Sequence, residues 1–325
     1  AQAGYRPCLR CRPESAPDSP AWRGASTTVQ RALQLMRQGA LSEGSLANLA
    51  ARLGVGERYL RKLFQRELGV SPQAVALNQR LLFAKKLLAE TTLPITEVAF
   101  AAGFGSVRRF NSAVQTHFRL TPGQLRGRRG AGASDQGISL QLHYRPPYDW
   151  QAISNFFSRH AIAGVEAMTP QGYQRNLALP GGPASFQVRP RPGAHALQLD
   201  LQLPDHSQLM PVVARVRRMF DLDANPAAIA ATLGQDPLLA PLLQACPGIR
   251  APGHWSLYES SIRGIVGQQV STAAARSIIA RLAVATSADP EHPTFPEAAD
   301  LAALDDSHIP MPGRRRETLR SQCRT

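Results

Sequence analysis

The chain has 325 residues, 43% of them hydrophobic and 18% charged, which excludes general disorder and leaves room for about two or three domains. Its formal charge of +14 is unevenly placed: residues 1–137 hold 20 Lys+Arg against 8 Asp+Glu, and residues 138–325 hold 17 against 15. The field that draws an anionic partner therefore belongs to the first part of the chain. No apolar run approaches the roughly 18 residues that a membrane span needs, and the N-terminus lacks the charged-then-apolar layout of a secretory signal. Four cysteines do not make a disulfide framework at this length, so a cytoplasmic protein without a membrane partner is expected.

The chain opens on AQAGYRPCLRCRPESAPDSPAW, with Cys8 and Cys11 in a CxxC spacing. Two thiolates so spaced can share one tetrahedral metal ion, but a structural zinc needs four ligands, so half a site is present. A redox CxxC would need a strand and helix around it, and Pro7 and Pro13 argue against both. Pro17, Ser19, Pro20 and Gly24 then give residues 15–27 the composition of a linker.

From about Thr28 to Arg126 apolar residues recur at helical spacing. In SLANLAARLGVGERYLRKLFQREL, Leu46, Leu49, Ala50 and Leu53 mark one helix and Leu60, Leu63, Phe64 and Leu68 the next, with Gly54-Val55-Gly56 as the turn. In PITEVAFAAGFGSVRRFNSAVQTHF the device repeats: Ile95, Val98 and Ala99 precede Gly103-Phe104-Gly105, and Phe110, Val114 and Phe118 follow behind Ser106 as N-cap. The second helix of each unit opens with side chains that do not serve packing. Arg58, Arg61 and Lys62 lie opposite Leu60, Leu63 and Phe64, and Arg108, Arg109, Asn111 and Ser112 flank Phe110. Arg reaches guanine bidentately and Asn does the same for adenine, so these types suit groove reading. One such helix would be an ordinary solvated basic face; the same device repeated with Gly54 and Gly103 at corresponding turns favours groove reading instead.

GVGERYLRKLFQRELGVSPQAV and AAGFGSVRRFNSAVQTHFRLTPGQLR, including the closing turns at Ser71-Pro72 and Thr121-Pro122, resemble the AraC-family DNA-binding domain over residues 28–126. The resemblance implies that a long helix through QAVALNQRLLFAKKLLAETT holds two recognition helices on one face of a duplex. It places base-facing candidates at Arg58, Arg61, Lys62, Val107, Arg108, Asn111 and Ser112, with Val107 able to offer only a thymine methyl contact. Beside such a domain, YRPCLRCRPE resembles the end of the zinc-holding methyl-acceptor domain of Ada-type adaptive-response regulators. Residues 1–14 then read as the remnant of that domain, with Cys8 and Cys11 as two of four zinc ligands; the methyl-accepting cysteine is not among them.

GRRGAGASDQG, within residues 127–137, reads as a flexible tether, with Arg126, Arg128 and Arg129 as phosphate contacts. Beyond it the apolar period falls to two. Ile138, Leu140, Leu142 and Tyr144, and later Leu197, Leu199, Leu201 and Leu203, predict half-buried antiparallel strands, with SFQVRPR and GYQRNLAL as further strands and helices near 150–160 and 208–220. Residues 138–220 therefore form a small α+β unit. From Leu222 the chain is helical, and WSLYESSIRGIVGQQ and STAAARSIIARLAVA are joined by the loop Gly267-Gln268-Gln269-Val270-Ser271. Taken alone this is a plain bundle corner.

HYRPPYDWQAISNFFSRHAIAGVE, MFDLDANP, CPGIRAPGHWSLYESSIRGIVGQQVS and TFPEAADLAAL together resemble the AlkA-type 3-methyladenine DNA glycosylases of the helix-hairpin-helix superfamily over residues 138 to about 320. That resemblance implies hydrolysis of the glycosidic bond of an alkylated base flipped out of the duplex, with no metal required. It puts Gln269 at the position that plugs the gap and Phe156 near the base pocket. The hairpin and the catalytic Asp that such an enzyme needs do not occur before Thr325, and Asp289, Asp300, Asp305 and Asp306 align with a surface loop and helix. Residues 221–325 therefore read as a partial glycosylase domain, expected to be inactive as given and to expose the apolar sides of IRGIVGQQV and RSIIARLAVA.

The fold expected is multidomain: an all-α tandem helix-turn-helix domain, a small α+β domain, and an incomplete helix-hairpin-helix domain. The function implied is a DNA-binding transcriptional regulator fused to a DNA-3-methyladenine glycosylase, with promoter and alkylated or abasic double-stranded DNA and RNA polymerase as partners. The alternative is a transcription factor alone, in which residues 138–325 sense an effector or dimerise. Metal-dependent enzymes rank far behind, because the sequence has no HExxH and no second CxxC.

Overall fold

The computed structural model describes residues 27–37, 40–41, 45–127 and 137–324. They fall into two units, the first running to residue 136 and including 205–215, the second comprising 137–204 and 216–325.

In the first unit, α1 (Thr27–Arg37) precedes α2 (Leu46–Arg52), which starts behind Ser45, whose hydroxyl accepts from the Asn48 amide at 3.1 Å. The chain leaves α2 through Gly54 at φ +69°, a conformation that costs a Cβ-bearing residue about 1–2 kcal/mol, and enters α3 (Glu57–Leu68). α4 (Pro72–Glu90) is capped by Ser71, with proline in its first turn. α5 (Ile95–Ala101), the turn at Gly103 (φ +77°) and α6 (Val107–Phe118) repeat the arrangement, and α7 (Pro122–Arg126) closes it with a capping box between Thr121 and Gln124. Leu60, Leu63 and Phe64 anchor α3 against Val29, Leu33, Leu46 and Leu49. Phe110 and Val114 anchor α6, Phe110 meeting Phe104 edge-on at 5.2 Å. α4 is buried at every position from Leu81 to Leu88, all the way round, as a helix enclosed by neighbours must be.

The second unit is built on a five-stranded antiparallel sheet of order β1-β5-β4-β3-β2. The strands are β1 (Ile138–His143), β2 (Glu166–Thr169), β3 (Gly172–Leu179), β4 (Gly182–Pro190) and β5 (Ala196–Gln202). β1 pairs with β5 in the register that sets Leu140 opposite Leu199, so both alternating runs point their leucines to one side. β2 has no counterpart among the strands expected from the sequence: its four residues, EAMT, are too short and mixed to show a period. Between β1 and β2, α8 (Trp150–His160) lays Ile153 and Phe157 on the sheet, with the Phe157 ring 4.7 Å from that of Tyr173.

After α9 (Leu209–Met219) come α10 (Pro226–Leu233), α11 (Leu239–Ala245), α12 (Leu257–Gly267), α13 (Thr272–Thr286), α14 (Ala298–Ala303) and α15 (Gly313–Arg324). The expectation that the apolar sides of α12 and α13 would stand exposed is wrong. Ile262, Val266, Ile278, Ile279 and Leu282 are buried in one cluster with Phe295, Leu301, Ile309, Met311 and Leu319, so the segments after α13 fold back and cover them. Exposed apolar side chains remain on the outer faces, Leu257 on α12 and Val284 on α13, and on α10 and α11, of which no residue is buried; Leu238 and Leu242 are 82% and 62% exposed.

Candidate nucleic-acid interfaces

Packing decides what α3 and α6 present. With Leu60, Leu63 and Phe64 turned inward, Arg58, Arg61 and Lys62 are all exposed on the other side of α3. Arg61 is held by Glu57 one turn back, at 2.5 Å and 3.1 Å from one carboxylate oxygen, which fixes its guanidinium on that face. On α6, Arg108, Arg109, Asn111 and Ser112 are exposed and Val107 is half-buried. Ser106 caps the helix, accepting from the Arg109 amide at 3.3 Å. Arg108, Arg109, Ser112 and Thr116 line a shallow open concavity of about 560 Å³ that reaches Leu77 on α4. Both sets of candidate readers thus stand on the open faces of their helices.

Not every basic residue of this unit is free for phosphate. Lys86 is buried and pairs with Glu90 at 2.8 Å, and Lys85 lies over the Phe118 ring at 5.4 Å. Arg80 donates to the Leu41 carbonyl. Arg126, expected as a phosphate contact, instead donates to the Leu93 carbonyl and is half-buried, tying α7 to the loop before α5. Arg128 and Arg129 lie outside the described residues, as do Cys8 and Cys11. Among the described residues no group of three or more His, Cys, Asp or Glu is placed to hold a metal ion.

In the second unit Gln269 stands at the tip between α12 and α13, exposed, with φ +57°. Left-handed backbone is costly for a residue with a side chain, so the turn fixes the Gln269 backbone, and the residue stands exposed there. Ser271 caps α13, accepting from the Ala274 amide at 3.1 Å. Phe156 on α8 is half-buried. Its ring stacks on His160 at 4.3 Å and lies 6.4 Å from the His254 ring.

Behind these two residues lies a buried ionic network that the sequence does not announce. Arg175 on β3 donates to Glu166 of β2 at 2.9 Å and to both oxygens of Glu259 on α12 at 3.2 Å and 2.5 Å. Arg263, one turn along α12, reaches Glu259 at 2.8 Å and Glu166 at 2.6 Å, and the Tyr173 hydroxyl donates to Glu166. Burial alone would raise the Glu259 pKa, but Arg175 and Arg263 outweigh it and hold this carboxylate below its ordinary range. His254 is held below its ordinary value by burial first and by Arg263 next. The available signal was the pair Glu259 and Arg263, four apart on a helix otherwise apolar on that side. The partners on β2 and β3 are 84 to 97 residues away in sequence, and no spacing rule links them.

The late aspartates have local structural duties. Asp289 accepts from the Glu291 amide and the His292 ring, Asp305 caps a single helical turn through the Ser307 amide, and Asp306 pairs with Arg320 at 2.6 Å. Asp300 is exposed on α14.

Two families match the chain: a helix-turn-helix domain at residues 49–128 and the AlkA N-terminal domain at 139–256. The chain is 38% identical over 328 residues to the "Probable bifunctional transcriptional activator/DNA repair enzyme AlkA" of Mycobacterium tuberculosis, covering 97% of this chain and 66% of that protein. It is 32% identical over 185 residues to DNA-3-methyladenine glycosylase 2 of Escherichia coli, covering 55% of this chain and 64% of that enzyme. It thus spans just under two thirds of the length of these relatives. A 3-methyladenine DNA-glycosylase from Archaeoglobus fulgidus shares the fold with a TM-score of 0.50 at 14% identity, over 57% of this chain and 66% of that one. The chain thus joins an AraC-type helix-turn-helix domain to an AlkA N-terminal domain.

Proposed function

We propose that the protein is a sequence-specific DNA-binding transcriptional activator whose second unit is a DNA-3-methyladenine glycosylase module for base-excision repair of alkylated DNA in the cytoplasm. α3 and α6 lie in successive major grooves, and α4, about 28 Å long at 1.5 Å per residue, spaces them against a duplex turn of about 34 Å. Arg58, Lys62, Arg108 and Asn111 read base edges, Arg61 does so from the fixed pose that Glu57 gives it, and RNA polymerase is the partner at the promoter. In the second unit Gln269 enters the duplex and fills the gap left by the extruded base, its amide bonding the orphaned partner, while Phe156 stacks on the extruded base. Zinc, with Cys8 and Cys11 as two of four ligands, would belong to the complete methyl-acceptor domain whose end YRPCLRCRPE resembles, and the glycosylase step requires no metal.

The observation that carries the reading is the exposed Gln269 at φ +57° between α12 and α13, in a chain that also presents two basic recognition helices. Filling the gap in a duplex requires an exposed polar side chain at the tip of a tight turn, which a plain sensing or dimerisation module does not. Binding titrations with three duplexes of equal length test it: one bearing the regulated promoter site, one of scrambled sequence, one scrambled with a single abasic position. Preference for both the promoter and the abasic duplex over the scrambled one is expected. Equal affinity for abasic and scrambled duplexes would leave only the regulator.

A further inference from the structure

The end of α8 is finished in an unusual way. The last carbonyls of a helix lack intrahelical partners, and many helices meet them with a glycine in the left-handed region. α8 has none; its C-cap Ala161 is extended. Its terminal carbonyls are met instead by arginines from the two helices on either side of the Gln269 loop. From α12, Arg263 donates to the His160 carbonyl at 2.9 Å. From α13, Arg276 donates to Ala161 at 2.6 Å and to Arg159 at 3.3 Å. Cations are favoured at this end of a helix, so the bonds are charge-assisted as well as geometrically fixed.

We propose that Arg263 and Arg276 are positioning residues that lock the Gln269 loop to α8, and so set the span between the side chain that enters the duplex and the aromatic face of Phe156 that receives the base. Each arginine lies about one helical turn in from the loop, and Phe156 lies one turn before the carbonyls they hold. Gln269 and Phe156 are thereby carried on one rigid frame. Arg263 is fixed in turn by Glu166 and Glu259, which join the frame to the sheet; Arg276 has no carboxylate partner among the described residues and bears on α8 carbonyls alone. The inference rests on the reading of Gln269 as the residue that fills the gap, and the test keeps the two apart.

The full chain is titrated with an abasic duplex and with the same duplex intact, and the abasic preference, the Kd for the intact duplex divided by that for the abasic one, is read as the ratio. Gln269→Ala tests the wedge reading, and a fall in the ratio is expected. Arg276→Ala, which removes side-chain bonds from the end of α8 without touching DNA, is expected to lower the ratio by about tenfold, the equivalent of one hydrogen bond to a charged group. Affinity for the promoter site should be unchanged. Arg276→Lys, which keeps one donor and the charge, should recover part of the loss, and it carries the test if the alanine variant fails to fold. The double variant Gln269→Ala with Arg276→Ala should fall no lower than Gln269→Ala alone, because Arg276 acts through Gln269; a merely structural arginine gives additive losses. A wild-type ratio for both Arg276 variants, or strict additivity, overturns the inference while leaving the wedge reading intact. An unchanged ratio for Gln269→Ala overturns both.

Discussion

Arg58 and Arg108 stand exposed on the recognition helices, and what they meet outside the protein accounts for them better than packing does. Replacing either with Ala is expected to relax preference at one base pair at a cost of about 1–3 kcal/mol, measured by titrating point-substituted promoter sites. Uniform loss across sequences would reduce them to phosphate contacts. Arg126 behaves differently: tied to the Leu93 carbonyl, it should on replacement with Ala lower the melting temperature of the first unit more than its DNA affinity. His254 and Glu259 predict a pH dependence of the second unit. Both have folded-state pKa values below their unfolded ones, about 6.5 and 4.3, so in each case the unfolded chain binds the proton first and stability falls as pH falls. Loss should begin below about pH 6.5 with His254 and continue below about 4.3 with Glu259. Thermal melts between pH 8 and about 2.5 would check this, and His254→Gln should remove the first phase while leaving the second.

At the scale of the element, the α12–α13 turn trades stability for display. Gln269→Gly relieves left-handed strain of about 1–2 kcal/mol, partly offset by the greater freedom that glycine gives the unfolded chain, so a net gain of up to about 1 kcal/mol is expected. The same change removes the amide that fills the gap, so abasic preference should fall as the melting temperature rises. A variant that loses both would mean that the side chain makes a packing contact essential to the turn. The recognition helix α6 depends on its cap instead: Ser106→Ala should cost about 1 kcal/mol through the lost bond to the Arg109 amide, seen as a lower denaturant midpoint for the first unit.

At the scale of the whole molecule, about half of the exposed large apolar side chains among the described residues lie on α10 and α11 and the residues between and after them, including Leu233, Leu238, Leu242 and Ile249. Exposed apolar side chains of this number and size limit solubility, so Leu238→Asp with Leu242→Asp should raise the concentration at which light scattering appears without changing helix content. The sequence by itself determined the elements and the sites that local rules can encode. Period 3.6 with glycine turns marked the paired helix-turn-helix units, period 2 marked β1 and β5, and hydroxyl caps at Ser106 and Ser271 placed the starts of α6 and α13, all because those signals act within a few residues of chain. Gln269 and Phe156 were legible only through resemblance, since one glutamine in a loop and one phenylalanine on a helix have no period. Tertiary structure alone decided that β2 forms, that Arg126 serves the fold, that α14 and α15 cover α12 and α13, and that Glu166, Arg175, Glu259 and Arg263 meet. Each of these depends on groups tens of residues apart, whose pairing is fixed by which surfaces can be buried together and which charges then need partners away from water.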